Sequence, residues 1–337
     1  MSTVNHQIRL AARPVGLPTP ANWKATEEPI PSASEGQIAV KILYTSLDPA
    51  MRGWMNDGKS YIPPVGIGDV MRAGGVGRVI ESKNPKFAVG DFVTGLFGVQ
   101  EYAVSEGRGV TKVNTTIAPL PTYLGTLGAP GMTAYFGLLD IGKPKPGETI
   151  VVSGAAGAVG TVVGQIAKIK GCRVVGIAGG TDKCDYIVKE LGFDAAVDYK
   201  SEDVRTGLRA AAPAGVDVYF DNVGGDILDI TLAQINLRAR IVICGAISQY
   251  NSTTGVKGPA NYLSLLVNRA SMTGMIVFDY ADRYAEGGAE MAGWLAAGKL
   301  KSREQIVKGG VAAFPDALLM LFRGENTGKL VLEVSAE

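Results

Sequence analysis

The sequence predicts an α/β protein of two domains, one rich in β-strands and one built on a doubly wound parallel sheet. The chain has 337 residues, which is more than a single domain usually holds. Short β-type runs separated by turn residues fill residues 37–104, whereas strands and helices alternate after residue 149. Because such alternation places crossover helices on both faces of a sheet, it indicates parallel strands.

The β-rich domain is predicted from four strand-like runs and from the end of the chain. Turn residues such as Lys83, Asn84 and Pro85 separate the runs. The predicted strands are 38–44, 75–81, 91–97 and 101–104. A helix at 314–322 and a strand at 328–334 are expected to return the chain to this domain. We therefore predict a domain of residues 1–125 that is completed by residues 305–337.

The second domain, residues 126–304, is predicted to contain six parallel strands joined by right-handed crossovers. The strands are 149–153, 173–177, 195–198, 216–221, 239–244 and 271–277. The helices are 159–169, 182–191, 202–211, 226–234 and 279–297. A doubly wound sheet binds its ligand at the carboxyl ends of its strands, so we expect functional residues there.

The charges, histidines and cysteines argue against several classes of function. Lys and Arg number 33 and Asp and Glu 32, so the net charge of +1 offers no field that would hold a nucleic acid. The single histidine, His6, and three scattered cysteines, Cys172, Cys184 and Cys244, cannot supply the ligands of a zinc site. A Ser-His-Asp or Cys-His catalytic set would depend on His6 alone. We therefore predict a protein without a metal site.

The sequence also predicts where the protein works. An odd number of widely spaced cysteines is typical of a reducing compartment. The first residues show no apolar core of the signal-peptide type. The longest weakly polar stretch, 150–167, contains Ser153, Gln165 and several glycines, so it does not predict a membrane span. We therefore expect a cytoplasmic protein that is not attached to a membrane.

A glycine-rich loop follows the first strand of the second domain and precedes a helix. Its residues are Ser153-Gly-Ala-Ala-Gly-Ala-Val-Gly160. A strand, a glycine turn and a helix start point backbone N–H groups at a pyrophosphate. Gly157 allows the close approach of the ligand, and Gly160 allows the helix and strand to pack tightly. Ala155 stands where the usual first glycine lies, so the loop predicts a dinucleotide site only together with its surrounding strands and helices.

The end of the second strand predicts which dinucleotide is bound. NAD-selective folds place an acidic residue there to bind the ribose 2′-hydroxyl, whereas this chain has Gly179 and Gly180. Lys183 offers a cation to a 2′-phosphate, and Tyr199 offers a hydroxyl. Either residue alone also fits an ordinary surface position, but with the acid absent the two together favour NADP. We interpret the adjacent Asp182 as the N-cap of the next helix.

Five motifs occur in order between about residue 9 and residue 332. They are Leu47-Asp-Pro-Ala-Met-Arg-Gly53, Gly154-Ala-Ala-Gly-Ala-Val-Gly160, Phe220-Asp-Asn-Val-Gly-Gly225, Cys244-Gly-Ala-Ile-Ser-Gln-Tyr-Asn251 and Asn326-Thr-Gly-Lys329. Together they resemble the zinc-independent double-bond reductases of the medium-chain dehydrogenase/reductase superfamily, in the branch of prostaglandin reductase and bacterial curcumin reductase. The resemblance implies a GroES-like β domain followed by a Rossmann domain. It also implies reduction of the C=C bond of α,β-unsaturated ketones and aldehydes by NADPH.

The resemblance implies a set of cofactor contacts, most of which lie at or just past the ends of predicted strands. They are Met132, Thr133, Gly157, Ala158, Val159, Gly160, Lys183, Tyr199, Asn222, Cys244, Gly245, Ala246, Ile247, Tyr250, Ile276, Val277, Phe278 and Asn326. Met132 and Thr133 are expected near the nicotinamide, and Asn326 follows from the resemblance alone. Cys244 is expected to be a small buried residue beside the cofactor and not a nucleophile.

Tyr250 is the candidate catalytic residue. Hydride addition to the β-carbon leaves enolate charge on the carbonyl oxygen, and without a metal this charge needs hydrogen-bond donors. We expect Tyr250 and a ribose hydroxyl of the cofactor to be those donors. Both the phenol and water fit the role of proton donor to the α-carbon.

The substrate, the assembly and two other functions remain open. Arg52, Trp54 and Tyr61 are candidate substrate contacts, although each also fits ordinary packing or, for Arg52, an ion pair. Ala50 stands where the family commonly has tyrosine, which implies a wider pocket wall. The alternatives are an NADPH quinone reductase of the same superfamily and a non-catalytic, crystallin-like NADPH-binding protein. The apolar run 272–278 is expected to pair edge to edge in a homodimer, as in relatives.

Overall fold

In a computed structural model that describes residues 4–336, the chain forms two compact units. The first unit contains the described residues up to Leu124 and those from Glu304 onward. The second unit contains Gly125–Arg303. In chain order, the strands are β1 (Val4–Leu10), β2 (Trp23–Pro29), β3 (Ile38–Ser46), β4 (Gly74–Ser82), β5 (Phe92–Leu96), β6 (Tyr102–Ser105), β7 (Thr111–Lys112), β8 (Thr149–Ser153), β9 (Arg173–Ala178), β10 (Ala195–Asp198), β11 (Val216–Asp221), β12 (Ile235–Ile243), β13 (Ser271–Gly274), β14 (Glu304–Val307) and β15 (Lys329–Glu333).

The helices differ widely in length, and several continue from one helical form into another. The α-helices are α1 (Ala50–Trp54), α2 (Ala129–Phe136), α3 (Ala158–Ile169), α4 (Thr181–Asp185), α5 (Val204–Ala211), α6 (Gly225–Leu232), α7 (Leu263–Asn268), α8 (Tyr284–Ala296) and α9 (Phe314–Arg323). Gly137–Gly142 and Tyr186–Glu190 are π-helical. The 3₁₀ turns are Pro20–Asn22, Leu120–Leu124, Ala260–Tyr262, Val277–Arg283 and Val311–Ala313. Among residues 4–336, no helix has both the length and the apolar character needed to cross a bilayer.

The first unit is built on a mixed sheet with the strand order β14-β15-β3-β4-β5-β7, in which β6 also pairs with β3. The β14–β15 pair is parallel and the other pairs of this sheet are antiparallel. Met51 of α1 and Phe314 of α9 are fully buried in its core. The predicted GroES-like β domain is confirmed, and the predicted strand 38–44 extends to Ser46 as β3.

Several elements of the first unit were not predicted from the sequence, among them α1, β7, the β1–β2 hairpin and the edge strand β14. The β1–β2 hairpin was missed because β2 is exposed over most of its length and ends in Glu27, Glu28 and Pro29, which hide the alternation typical of a strand. The edge strand β14 was missed for a similar reason, since none of its four residues is fully buried.

The second unit is a doubly wound sheet with the strand order β10-β9-β8-β11-β12-β13, and every neighbouring pair is parallel. Ile150 and Val152 of β8 face one core, and Val151 faces the core on the other side. Burial on both faces explains the continuous apolar run of this strand. The predicted Rossmann fold of six parallel strands is confirmed.

The ends of several predicted elements need correction. The predicted strand 271–277 ends at Gly274, since the chain after the buried Met275, which is 4% exposed, turns into a 3₁₀ turn at Val277. The predicted helix 279–297 is a 3₁₀ turn followed by α8, and the predicted helix 182–191 is α4 followed by a π-helical turn. The interpretation of Asp182 as an N-cap is wrong. The N-cap is Gly180, which has a φ of +101° and lies two residues before Asp182.

Several glycines allow the helices to approach the sheet closely. A Cβ at Gly164 of α3 would lie 1.8 Å from Cζ of the buried Phe193 ring. A Cβ at Gly176 of β9 would lie 2.4 Å from Cδ1 of Ile187. Neither position tolerates a side chain without movement of the core.

We predict opposite effects for two alanine substitutions in helices of the second unit. Gly164→Ala should lower the free energy of unfolding by about 1–3 kcal/mol, because the added methyl group overpacks the core against Phe193. Gly293→Ala in α8 is the matched control, since no atom lies within 4 Å of its added Cβ. It should raise the free energy of unfolding by about 0.5–1 kcal/mol. Urea unfolding measures both, and an unchanged midpoint for Gly164→Ala would show that the ring yields without cost.

Candidate active site

The candidate site lies at the carboxyl edge of the six-stranded sheet, where the strand order reverses between β8 and β11. Phe220 of β11 lies opposite Val152 of β8, so the last residues of the two strands, Ser153 and Asp221, are neighbours. In open α/β sheets a crevice forms at such a reversal, because the loops leave the sheet in opposite directions.

The loop after β8 contains several glycines and leads directly into α3. Gly154 has a left-handed φ of +58°, and Gly157 is the N-cap of α3. A Cβ at Gly160 would lie 2.4 Å from the Gly154 carbonyl oxygen, so only glycine allows the start of α3 to pack this closely on the loop. Ala158 and Val159, in the first helical turn, are only partly buried. Because the first N–H groups of a helix have no partner within it, this loop fits a pyrophosphate.

The turn after β11 is tied to the end of β8. The Asn222 N–H donates to Ser153 Oγ at 2.9 Å, and Asn222 Nδ2 donates to the Ser153 carbonyl at 2.7 Å. Gly224 and Gly225 have φ angles of +68° and +57°, which turn the chain sharply into α6. Asn222 is thereby fixed at the strand edge.

The loop after β12 is held by the backbone of that turn. The N–H groups of Cys244 and Gly245 donate to the Asp221 carbonyl at 2.9 and 3.1 Å. The Ile247 N–H donates to the Asn222 carbonyl at 3.2 Å. Burial, with a contribution from the Asp221 charge, raises the pKa of the Cys244 thiol to about 12. Such a thiol is protonated at neutral pH, which argues against a nucleophile.

Tyr250 folds back over its own loop. Its hydroxyl oxygen accepts a hydrogen bond from the Ala246 N–H at 3.1 Å. The same oxygen would lie 3.0 Å from a Cβ placed on Gly245. Since the side chain is partly buried, the loop determines where the phenol sits at the sheet edge.

The last predicted contacts of the second unit lie just past β13 and in α2. Ile276 and Val277 are partly buried after the strand, and Phe278 is 41% exposed. Met132 and Thr133, in α2, are 3% and 9% exposed. The Thr133 hydroxyl donates to the Ala129 carbonyl at 2.8 Å. Both α2 side chains therefore belong to the packed interior, and their approach to a nicotinamide stays a prediction.

The end of β9, the second strand of this unit, lacks an acidic residue and is also sterically restricted. A Cβ at Gly179 would lie 2.5 Å from Tyr199 Oη, so the Tyr199 ring occupies the space where an acidic side chain would start. Asp198 fixes this arrangement, since its Oδ1 accepts the N–H groups of Gly180 at 2.7 Å and Lys200 at 3.0 Å. The bond from Gly180 is the main cause that lowers the pKa of Asp198 below its usual value.

Lys183 lies near a second cation, Lys200, which directly follows Tyr199. Burial lowers the pKa of Lys183, and the charge of Lys200 lowers it further. Burial and the Asp198 charge raise the pKa of Tyr199, so its phenol stays protonated and able to donate. A protonated phenol and neighbouring cations are the groups that a phosphate monoester requires.

Asn326 and the candidate substrate residues belong to the first unit. Asn326 Nδ2 donates to the Gly328 carbonyl at 3.1 Å, just before β15. Arg52 is 4% exposed, and its guanidinium donates to the carbonyls of Gly16 and Pro14 at 3.0 and 3.1 Å and to Asn56 Oδ1 at 2.5 Å. These contacts indicate that Arg52 anchors a loop.

Trp54 and Tyr61 lie together, joined by a hydrogen bond of 2.9 Å from Trp54 Nε1 to Tyr61 Oη. Trp54 is 7% exposed and Tyr61 48% exposed. The Arg72 guanidinium lies 5.8 Å from the centre of the Trp54 ring. Ala50, the first residue of α1, packs against the core of the same unit.

Within the part of the chain that the structure describes, no three His, Cys, Asp or Glu side chains form a group able to hold a metal ion. His6 Nδ1 lies 2.7 Å from Glu101 Oε2, and this hydrogen bond raises the pKa of His6. Independence from metals stays a prediction to be tested with a chelator.

Sequence reasoning assigned no role to three polar residues of the site. Ser153 and Asp221 end their strands and bind each other at 2.9 Å, although 68 positions separate them. Lys200 directly follows the predicted contact Tyr199. These residues could have been identified in the sequence from their positions at or just past strand ends.

Comparison with known proteins gives matches over nearly the whole chain. Residues 6–113 match a family described as the N-terminal domain of oxidoreductase, and residues 158–292 match one described as zinc-binding dehydrogenase. The NADPH-dependent curcumin reductase of Escherichia coli (strain K12) is 44% identical over 338 residues, which cover 99% of this chain and 98% of that protein. The NADP(+)-dependent 2-alkenal reductase of Nicotiana tabacum is 42% identical over 311 residues, which cover 91% and 90% of the two chains.

A solved structure shows the same fold at similar identity. The crystal structure of CurA in complex with NADPH from Vibrio vulnificus has 45% sequence identity and a TM-score of 0.93, and the match covers 98% of this chain and 100% of that chain. The resemblance inferred from the five motifs is thereby confirmed. The chain belongs to the medium-chain dehydrogenase/reductase superfamily of oxidoreductases, and within it to the branch of the NADP-dependent curcumin and prostaglandin reductases.

Proposed function

We propose that this chain uses NADPH to reduce the C=C bond of α,β-unsaturated ketones and aldehydes. The observation that carries the proposal is its 44% identity, over 99% of its length, to a protein named NADPH-dependent curcumin reductase. The similarity to a 2-alkenal reductase extends the substrate class to unsaturated aldehydes. The glycine loop at Gly157 and Gly160, which starts α3 close against the Gly154 carbonyl, fits the pyrophosphate of that cofactor.

The residues at the sheet edge divide the work of binding and catalysis. Bound NADPH supplies a hydride to the β-carbon of the substrate, which leaves enolate charge on the carbonyl oxygen. Tyr250 Oη donates a hydrogen bond to that oxygen, and the Ala246 N–H orients the phenol through its own bond to Oη. Lys183 and Tyr199 bind the 2′-phosphate. The proton for the α-carbon comes from Tyr250 or from water.

The two domains have separate tasks in this proposal. Residues 126–304 bind the cofactor, and residues 1–125 with 305–337 bind the substrate. Trp54 and Tyr61 supply an aromatic wall, which their mutual hydrogen bond stiffens. Arg52 holds the loop behind them, and Ala50 leaves more room than the tyrosine that is common at this place in the family.

We also propose a homodimer, formed by β13 pairing with its copy. β13 is the edge strand of the six-stranded sheet, and all four of its residues are exposed. Exposed apolar side chains accompany it, namely Leu263, Leu266, Val267 and Met272. An unpaired edge beside apolar side chains is a template for association. Sedimentation equilibrium decides between a dimer and a monomer.

The cytoplasm is the proposed location. Cys172, Cys184 and Cys244 are all free thiols, which supports a reducing compartment.

The proposed activity predicts that the purified chain oxidises NADPH in the presence of enones and 2-alkenals, seen as loss of nicotinamide absorbance. Mass spectrometry should show a product with two added hydrogen atoms. Dialysis against a chelator should leave the rate unchanged. Turnover of quinones but not enones would instead establish a quinone reductase. Tight NADPH binding without turnover of either class would establish a non-catalytic protein.

We predict that Lys183→Ala weakens the binding of NADPH by about 10- to 100-fold, because a charge-assisted contact with the 2′-phosphate is lost. NADH, which lacks this phosphate, should bind as before. Fluorescence titration with each cofactor measures the two affinities. Lys189→Ala is the matched control, since that lysine pairs with Asp185 on the same helical segment. Equal losses for NADPH and NADH would remove Lys183 from the 2′-phosphate site.

We predict that Tyr250→Phe lowers kcat and kcat/KM for enones together, by roughly 5- to 150-fold, because one donor to the developing charge is lost. The affinity for NADPH should remain nearly unchanged. Stopped-flow measurement of NADPH oxidation, with chemistry as the slow step, measures the effect. The control Tyr123→Phe removes a hydroxyl that donates to the Asn114 carbonyl. Full activity of Tyr250→Phe would leave the cofactor and solvent as the donors.

A further inference from the structure

Asp221 is the last residue of β11, and its side chain accepts several hydrogen bonds beneath the edge of the sheet. Its side chain is 0% exposed. Its Oδ1 accepts four hydrogen bonds, from Ser153 Oγ at 2.9 Å, Tyr219 Oη at 2.8 Å, and the N–H groups of Val223 at 3.0 Å and Gly224 at 2.9 Å. Four donors converging on one oxygen fit a carboxylate.

The other carboxylate oxygen shows that packing alone does not explain this residue. Among residues 4–336, Oδ2 of Asp221 is buried and has no hydrogen-bond partner. Leaving a buried carboxylate oxygen unpaired costs free energy, which an apolar side chain would avoid. A carboxylate kept at such a place indicates a role in the site above it.

The four bonds fix the turn and the loop that carry the predicted cofactor contacts. Gly224, held by Oδ1, is the N-cap of α6. Ser153, held by the same oxygen, accepts the Asn222 N–H. The backbone carbonyls of Asp221 and Asn222 then accept three N–H groups from the loop 244–247. A shift of the Asp221 side chain therefore moves Asn222 and the loop that ends in Tyr250 together.

Asp217 is a comparison residue that allows positioning of the site to be distinguished from pairing of strands β8 and β11. It lies on the same strand, at the opposite end, where its Oδ2 accepts the Thr149 N–H at 2.8 Å and its Oδ1 accepts Asn236 Nδ2 at 2.9 Å. Asp217 thus ties the start of β8 to β11, as Asp221 ties its end. Of the two, Asp221 is the one beneath the candidate site.

We propose that Asp221 is a positioning residue for cofactor binding, whose carboxylate holds the turn 222–225, and through it Asn222 and the loop 244–250, in the geometry that receives NADPH. The inference rests on the NADPH-dependent function proposed above. Tyr219 supports it, because burial and the Asp221 charge raise the pKa of that phenol, which stays protonated and donates.

The test compares Asp221→Asn with Asp217→Asn in the full chain. A neutral amide accepts hydrogen bonds less strongly than a carboxylate, so Asp221→Asn should raise the Kd and the KM for NADPH by about tenfold or more. The KM for an enone should stay within about threefold of the wild-type value, since other residues bind the substrate. Asp217→Asn should lower the melting temperature and leave the Kd for NADPH within about twofold. Nicotinamide fluorescence measures the Kd, independently of turnover.

Each outcome either supports the positioning role of Asp221 or overturns it. An unchanged Kd in Asp221→Asn, or equal losses in the two variants, overturns the positioning role. If Asp221→Asn does not fold, Ser153→Ala and Tyr219→Phe replace it, because each removes one donor to Oδ1. Their expected effect is a rise of about two- to fivefold in the Kd for NADPH at full folding, and wild-type affinity in both overturns the inference. A wild-type chain that does not bind NADPH contradicts the proposed function instead.

Discussion

One close contact shapes the second unit: α3 begins so near the end of β8 that only a hydrogen atom fits between them. A Cβ at Gly160 would lie 2.4 Å from the Gly154 carbonyl oxygen and 2.7 Å from the Ala155 Cα. Both are backbone atoms, so they cannot move aside as the end of a flexible side chain can. The contact brings the first N–H groups of α3 to the reversal point of the sheet. The capacity to bind an anion there follows from the packing of backbone, before any side chain contributes.

The parts of the fold that could be predicted are those with a strong local pattern. The apolar run Ile150-Val-Val152 reads as a buried strand because both of its faces are covered by helices, and the glycine loop 153–160 follows it directly. The end of β13 could not be predicted. The apolar run continues to Val277, whereas the chain leaves the sheet at Met275, whose burial depends on helices elsewhere in the sequence. The hairpin β1–β2 gives the converse case, since an exposed strand carries too little apolar pattern to be recognised.

The candidate site divides in the same way. Residues such as Asn222 and Cys244 were predicted from the rule that ligands bind at strand ends, whereas the role of Tyr250 was predicted from the family resemblance. Their hydrogen-bond partners could not. Ser153 and Asp221 meet across 68 positions of sequence, and no spacing reveals that one carboxylate oxygen serves both strands. Such partners follow from the register of β8 and β11, which appears only when the sheet is assembled.

The same limit applies to the choice of dinucleotide, where two features that look separate in the sequence are one constraint in the structure. Because residue 179 is glycine and not an acidic residue, the sequence indicates only that no negative charge is present there to repel a 2′-phosphate. In the fold, the Tyr199 ring fills the space that a side chain at Gly179 would enter, at 2.5 Å from its Cβ. Asp198 locks the two loops together through Gly180 and Lys200. A carboxylate at Gly179 would have to displace the ring, and the displaced ring would take with it a hydroxyl that is suited to a 2′-phosphate. In the proposed cofactor site, discrimination against NAD would therefore depend on this pair of loops as well as on the charge of Lys183.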